Sequence, residues 1–399
     1  MMILILQEHM NNNLIQKNIP DGWQILPLSD LCNNLDNRRI PITKSVRVSG
    51  NIPYYGATGI IDYVGDYIFN EEILLVGEDG ADWLPFVNKS FIVKGKSWVN
   101  NHAHVLKAKE FSSNKYLEQY LNWINLDIYT TGGTRKKLNK EVLMELPVCL
   151  PKLKLEQEKI AEILSKVDED IEKTEEVIKE TERLKNGLMQ EILTKDIIHT
   201  QFKKTEFGEI PLEWDISTLG KVADFENGKA HENSISDDGK YIVVNSKFIS
   251  SDGKIAKYSD KNLSPLKTGE IVMVMSDIPN GKALGKCFLI LENNKYTLNQ
   301  RICLLRPKNG DSKFFYYFLN RNKYFLNFNN GTSQTNLRRD EVLNCPFLVP
   351  PKPEQEKIAE ILSAVDEKIS INKKLKEKLT QLKKGLMSDL LSGKVRVNI

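Results

Sequence analysis

Short clusters of residues that hydrogen-bond in pairs recur along this chain, each set among small, flexible neighbours. In the first half they are Asn37-Arg38-Arg39, Tyr54-Tyr55-Gly56-Ala57-Thr58-Gly59, Asn100-Asn101-His102 and Gly133-Thr134-Arg135-Lys136-Lys137. In the second half they are Asn245-Ser246-Lys247, Asn299-Gln300-Arg301, Gly331-Thr332-Ser333-Gln334-Thr335-Asn336 and Arg338-Arg339. Arg or Lys can offer paired donors to guanine, Asn or Gln can pair with adenine, and the cations suit phosphates. Such residues support the reading of base edges and backbone, not bond making. The candidate contacts are therefore Arg38, Arg39, Tyr55, Thr58, Asn101, His102, Thr134, Arg135, Lys136 and Lys137, then Asn245, Lys247, Gln300, Arg301, Thr332, Ser333, Gln334, Arg338 and Arg339. Any one cluster is also what a solvated loop contains. The two Gly-Thr segments, and Asn100 to His102 with Asn299 to Arg301, stand apart because they occupy matching places in an internal repeat.

Catalytic chemistry has less footing. Gly281-Lys282-Ala283-Leu284-Gly285-Lys286-Cys287 resembles a phosphate loop, but three residues separate its glycines instead of four, and Cys stands where Ser or Thr would bind magnesium. There is no Asn/Asp-Pro-Pro-Tyr/Phe run and no Gly-x-Gly-x-x-Gly after a strand. The chain is expected to bind no methyl donor, and no cofactor or metal, by itself. His102 and His104 flank one alanine and would share a strand face, but with no Cys or carboxylate beside them in sequence they read as solvent-facing or DNA-facing strand residues. The Glu-x-Lys combinations of the later segments are explained by helix charge pairing. Five cysteines without CxxC spacing suggest a reduced, cytoplasmic setting.

The elements that must position these clusters are set by one repeat. Glu156 to Ser165 recurs letter for letter as Glu354 to Ser363. The match continues through Val167-Asp168-Glu169 and Val365-Asp366-Glu367, then Gly187-Leu188-Met189 and Gly385-Leu386-Met387. Fainter echoes precede each copy: Trp23 with Trp214, Glu72 to Val76 with Glu270 to Val274, and Gly133-Thr134 with Gly331-Thr332. The chain reads as a tandem duplication of one variable and one constant part.

In the constant parts apolar residues step by threes and fours, from Ile160 to Ile192 and from Ile358 to Leu390. Each predicts one long helix, with Pro151 and Pro350, Pro351 and Pro353 marking the starts. At about 39 residues each would be roughly 58 Å long. A narrow apolar stripe of that length needs a partner, and an antiparallel coiled coil with pseudo-twofold symmetry would supply it. The variable parts mix short strands (Glu72 to Val76, Phe91 to Val93, Lys240 to Val244) with aromatic-rich helices near Tyr116 to Tyr129 and Phe314 to Phe328. The fold class expected is α/β (α+β). Its parts would be a disordered tail (1–18), a first recognition domain (19–150), a first spacer helix (151–198), a second recognition domain (199–349) and a second spacer helix (350–399).

Composition allows this. The chain has 399 residues, 41% hydrophobic and 27% charged, which suits two or more soluble domains. Its formal net charge of +3 leaves any nucleic-acid signal to local patches. Ile3 to Leu6 is too short an apolar run for a signal peptide, no membrane span follows, and Met10 is an alternative start.

Pro-x-x-Glu-Gln-x-Lys-Ile-Ala-Glu-Ile-Leu-x-x-Val-Asp, at Pro351 to Asp366, resembles the constant-region signature of type I restriction-modification specificity subunits. Gly208-Glu209-Ile210-Pro211 with Trp214 resembles that family's start of a recognition domain, and Leu391 to Val397 its C-terminal ending. The first constant copy departs from the pattern at Lys154-Leu155, in place of the usual proline, and at Lys195-Asp196. The resemblance implies a non-catalytic subunit that reads a bipartite, asymmetric target in double-stranded DNA. It implies two methyltransferase (M) subunits as partners, joined by motor-nuclease (R) subunits. S-adenosylmethionine, ATP and Mg would be used by those partners, with adenine the methylated base. The main rival is a coiled-coil scaffold whose flanking domains bind protein. A methyltransferase or nuclease fused to its own reader is a second, for which the repeat leaves no room.

Overall fold

The computed structural model describes residues 19–194, 199–205, 208–277, 283–328 and 335–399. The expected N-terminal tail, Gly281-Lys282 of the phosphate-loop look-alike, and Thr332, Ser333 and Gln334 lie outside these residues. Two compact units divide the chain: one runs to Glu176 and takes in Lys373–Ile399, and the other is Val177–Asn372.

In the first unit β1 (Trp23–Pro27) leads through the one-turn helix α1 (Leu28–Leu31) into β2 (Cys32–Asn34). Then come β3 (Ser49–Gly56), β4 (Gly59–Val64), β5 (Phe69–Asn70), β6 (Ile73–Gly77), β7 (Ser90–Val93), β8 (Lys96–Val99) and β9 (Ala103–Ala108). Helices α2 (Asn114–Trp123) and α3 (Lys140–Met144) precede β10 (Pro147–Pro151), which passes into the long helix α4 (Lys154–Ile192). The strands form sheets in the orders β2-β9-β6-β7 and β4-β3-β8-β5, and β1 pairs with β10. Every residue of β6 is buried, so its continuous apolar run is the spine of the unit. The second sheet contains one parallel pair, β3 with β8.

The second unit repeats this plan. Its strands are β11 (Phe202–Thr205), β12 (Gly208–Pro211), β13 (Asp215–Thr218), β14 (Ala223–Asn227), β15 (Tyr241–Val244), β16 (Tyr258–Ser259), β17 (Ile271–Val274), β18 (Ser276–Asp277), β19 (Cys287–Leu289), β20 (Tyr296–Leu298), β21 (Ile302–Pro307), β22 (Thr335–Asn336) and β23 (Pro346–Val349). Its helices are α5 (Leu219–Val222), α6 (Ser246–Ser250), α7 (Ser312–Leu319), α8 (Lys323–Leu326), α9 (Arg339–Leu343) and the long α10 (Lys352–Leu391). The order β14-β21-β17-β19 matches β2-β9-β6-β7, and β16-β15-β20 again holds one parallel pair, β15 with β20. Strands β13 and β23 pair as β1 and β10 do. The faint echoes in sequence thus belong to one duplicated topology, carried by the same buried central strand, here Ile271–Val274.

The repeated decapeptide performs the same tasks in both units. Buried Glu156 accepts the Trp23 indole N–H (3.3 Å), and Glu354 accepts that of Trp214 (2.8 Å). Gln157 donates to the Pro151 carbonyl and Gln355 to that of Pro350, both at 2.8 Å, tying each helix start to the strand before it. Ile160, Ala161 and Leu164, like Ile358, Ala359 and Leu362, are buried, while Lys159–Glu162 and Lys357–Glu360 form exposed pairs one turn apart. One tryptophan, one glutamate and a core stripe therefore fix how each domain joins its helix.

Within each unit a segment of α4 runs antiparallel to a segment of α10. In the first, Asp168 pairs with Lys383 (2.5 Å) and Glu175 with Lys376 (3.0 Å), while Ile160 and Leu164 share a core with Met387, Leu390 and Leu391. In the second, Lys185 pairs with Asp366 (2.6 Å), while Ile358 and Leu362 share a core with Ile192 and Leu193. Asp168 and Asp366, like Lys185 and Lys383, are equivalent positions of the repeat, so one ion pair occurs twice with its halves exchanged. The expectation of a wholly buried stripe needs correction. Val177, Leu184, Leu375 and Leu382 are 41%, 55%, 44% and 51% exposed, because the facing helix covers only part of the stripe. Among the described residues no helix is long and apolar enough to cross a membrane. The five cysteines are free, and burial raises the thiols, Cys149 to about 11 and Cys32 to about 12, which leaves them poor nucleophiles.

Candidate nucleic-acid interface

In the first unit the candidate residues gather around two acids at the end of β6. The Glu78 N–H donates to the His102 carbonyl and the Glu78 carbonyl accepts the Leu138 N–H, both at 2.8 Å, so the end of β6 locks the turn before β9 to the segment after the Gly-Thr loop. Thr131 and Lys137 exchange backbone hydrogen bonds (2.9 and 2.8 Å) and close that loop. Gly132 sits at φ +100°, and a Cβ there would lie 2.7 Å from the Arg135 carbonyl oxygen, so glycine is required. The Asp79 carboxylate faces His102 Nδ1 (2.9 Å) and Arg135 (3.1 Å). The Glu78 carboxylate faces Arg39 (2.5 Å) and Lys137 (2.8 Å). Burial opposes the charge of Glu78, but hydrogen bonds from Lys137 and Arg39 outweigh it and hold the carboxyl below its usual range. The β3–β4 turn adjoins this surface, since a Cβ on Gly77 would meet the Ala57 carbonyl at 3.1 Å. Asn101 and Thr58 are exposed there.

Other candidates in this unit are placed elsewhere. Arg38 pairs with Glu71 (2.7 Å) over the Phe69 ring, Lys136 with Asp127 (2.5 Å), and half-buried Tyr55 packs on Phe91. Thr134 is exposed at the loop tip. Arg39 is an internal cation: besides Glu78 it reaches Asp36 and donates to the Ala103 carbonyl (2.8 Å). His104 also departs from expectation, being buried instead of facing solvent or DNA. Its ring nitrogens meet Asp36 (2.6 Å) and the Leu138 carbonyl (2.8 Å). Folding thus brings carboxylates beside a histidine that has none near it in sequence. Asp36, Glu78 and His104 are the one such cluster among the described residues with metal-ligand geometry. Arg39 pairs with both of its carboxylates and Lys137 with Glu78. Burial opposes ionisation of Asp36, but the hydrogen bond and charge of His104 overcome this and lower its pKa.

In the second unit the same backbone frame holds different side chains. The Met275 N–H donates to the Arg301 carbonyl (3.0 Å), and the Met275 carbonyl accepts the Leu337 N–H (2.8 Å). Met275 and Ser276 therefore stand where Glu78 and Asp79 do. Asn299 donates its N–H to Val244 (3.1 Å) as Asn100 does to Tyr55 (3.1 Å). Arg301 is exposed at φ +71°, a conformation that costs an arginine energy and marks a fixed turn. Gln300 bonds Glu232, Lys247 and Arg338 are exposed, and the Arg339 guanidinium lies over Phe225. Asn245 is spent on the fold, accepting the Phe248 N–H (2.9 Å) as cap of α6. Sequence reasoning missed Asp36, Glu78 and Asp79. Only Glu78-Asp79-Gly80, straight after an apolar strand, gave any signal.

Two α/β units of one topology, each presenting polar loops from the same frame and sharing two long helices, define a tandem recognition protein. The chain belongs to the type I restriction modification DNA specificity domain family, which matches residues 20–183 and 211–381. It is 26% identical to the type I restriction enzyme MjaVIII specificity subunit of Methanocaldococcus jannaschii, across 99% of each chain. It is 29% identical to a putative type I restriction enzyme specificity subunit of Haemophilus influenzae, across 88% of this chain and 90% of that one. In fold it is similar to the S subunit of the type I restriction-modification system from M. genitalium, with a TM-score of 0.64, 16% identity and 98% coverage of both chains. A chain from a study of complex assembly and conformational transition of the type I system has a TM-score of 0.54 at 14% identity, over 95% of this chain and all of that one. DNA target recognition is this family's role, and the protein-binding scaffold is not favoured.

Proposed function

We propose that each unit reads one half of a bipartite, asymmetric duplex target, and that the chain is the non-catalytic part of its complex. The observation that carries this is the recurrence, in both units, of one backbone frame joining the end of the buried central strand to the turn at His102 or Arg301 and to Leu138 or Leu337. Cations and paired donors on such a frame suit phosphates and base edges. Catalysis then belongs to partners: two methyltransferase subunits that modify adenine with S-adenosylmethionine, and motor-nuclease subunits that use ATP and Mg. This chain binds none of these cofactors and works in the cytoplasm. Leu184 and Leu382, equivalent in the repeat and more than half exposed, suit the helices to docking the partner subunits.

Comparing the methylome of the host with and without the gene tests this reading. Loss of adenine methylation at one two-part motif is expected. An unchanged methylome, together with no salt-dependent duplex binding by the assembled complex, would refute it.

A further inference from the structure

The two units differ at the place where their frames coincide. In the first, Asp79 pairs with Arg135 and faces the His102 ring while Glu78 pairs with Lys137 and Arg39, whereas in the second Met275 and Ser276 provide no carboxylate. Arg135 is 67% exposed while paired, so a duplex can reach it without unfolding anything. We propose that Asp79 is a positioning residue for DNA discrimination by the first unit, a displaceable stand-in for the acceptors of DNA that holds Arg135 and His102 until a matching base edge takes them over.

The physical argument is one of exchange. An arginine that leaves a protein carboxylate for a lone phosphate gains little, because one ion pair replaces another and the carboxylate must then recruit a solution cation. An arginine that meets guanine O6 and N7 gains two directed hydrogen bonds instead. Asp79 therefore penalises sequence-independent contact more than matched contact. Among the described residues of the second unit no carboxylate pairs with the exposed Lys247, Arg301 or Arg338, so these engage phosphates without such a penalty. Both units read sequence, the first with this added penalty on sequence-independent contact and the second with more of the salt-sensitive affinity.

This inference rests on the DNA-reading function, and the test separates the two. The assembled complex containing the full-length protein is bound to a pool of random-sequence duplexes, the salt dependence of binding is measured, and the enriched duplexes are sequenced. For Asp79→Asn we expect sequence-independent affinity to rise roughly threefold to tenfold. The slope of log K against log salt should steepen by about one. One half-motif should blur while the other stays sharp, and Asp79→Glu should restore both. If the wild type yields two half-motifs and Asp79→Asn leaves slope and motifs unchanged, the stand-in role is wrong. Equal loss of both half-motifs, unrescued by Asp79→Glu, would overturn it in favour of a purely structural role. If the wild type enriches no motif, the DNA-reading function falls, and this inference with it.

Discussion

Glu118 on α2 shows how burial sets behaviour one side chain at a time. Burial raises its pKa to about 7, a hydrogen bond from the Ile92 N–H pulls against that rise, and the charge of Asp168 adds to it. Because the folded value exceeds the unfolded one, the folded protein binds more protons between them. Stability is therefore greatest below about pH 4 for this group and falls as pH rises toward 7. Glu118→Gln should remove that slope, leaving the variant more stable than wild type at pH 8 by on the order of 2 kcal/mol and nearly equal at pH 4, as read by thermal denaturation. Arg38 and Arg39 teach the opposite lesson about reading residues from sequence. They are neighbours of one type, yet Arg38 lies over Phe69 while Arg39 is enclosed by Asp36, Glu78 and the Ala103 carbonyl. What separates them is contributed by β6 and β9, tens of residues away, and no local pattern announces it. His104 was misread for the same reason.

Elements were more legible than residues where the signal was periodic or repeated. The 39-residue and 40-residue helices follow from their apolar spacing, and within the repeated decapeptide the Glu-Gln pair, the Lys–Glu pair and the buried Ile, Ala and Leu have the same roles in both units. The strands were legible as existing but not as ordered, since sheet order depends on non-local pairing that faint echoes hint at without specifying. The exchanged ion pair gives a test at this scale. Asp168→Lys should destabilise the first unit by about 1 kcal/mol, and adding Lys383→Asp should recover most of it. The Gly-Thr loop gives another. Gly132→Ala forces an L side chain into φ +100° and toward the Arg135 carbonyl, whereas a Cβ on Gly133 meets nothing within 4 Å. Gly132→Ala should weaken binding to one half-site about tenfold, and Gly133→Ala should leave it unchanged, in duplex titrations with either half-site scrambled.

For the whole molecule the sequence revealed duplication, and the shared sheet orders supply what it lacked, a common topology for two segments whose residues have largely diverged. Helices α4 and α10 both run from one unit into the other, so their length should act on the target as a ruler. Removing seven residues from each should change the gap tolerated between half-sites, and methylome sequencing of a host carrying that variant would report it. An unchanged gap would dismiss the ruler. The pairing of β1 with β10, and of β13 with β23, has a consequence for how such proteins change. Trp23 lies opposite Pro151 and Asp215 opposite Val349, so each recognition domain leaves its helical frame where it entered. A foreign domain of any length whose ends meet in that way can be grafted into the gap without stretching the frame. New specificities can then arise by exchange of whole cassettes, the frame being spared the slow repair that scattered substitutions in its core would demand.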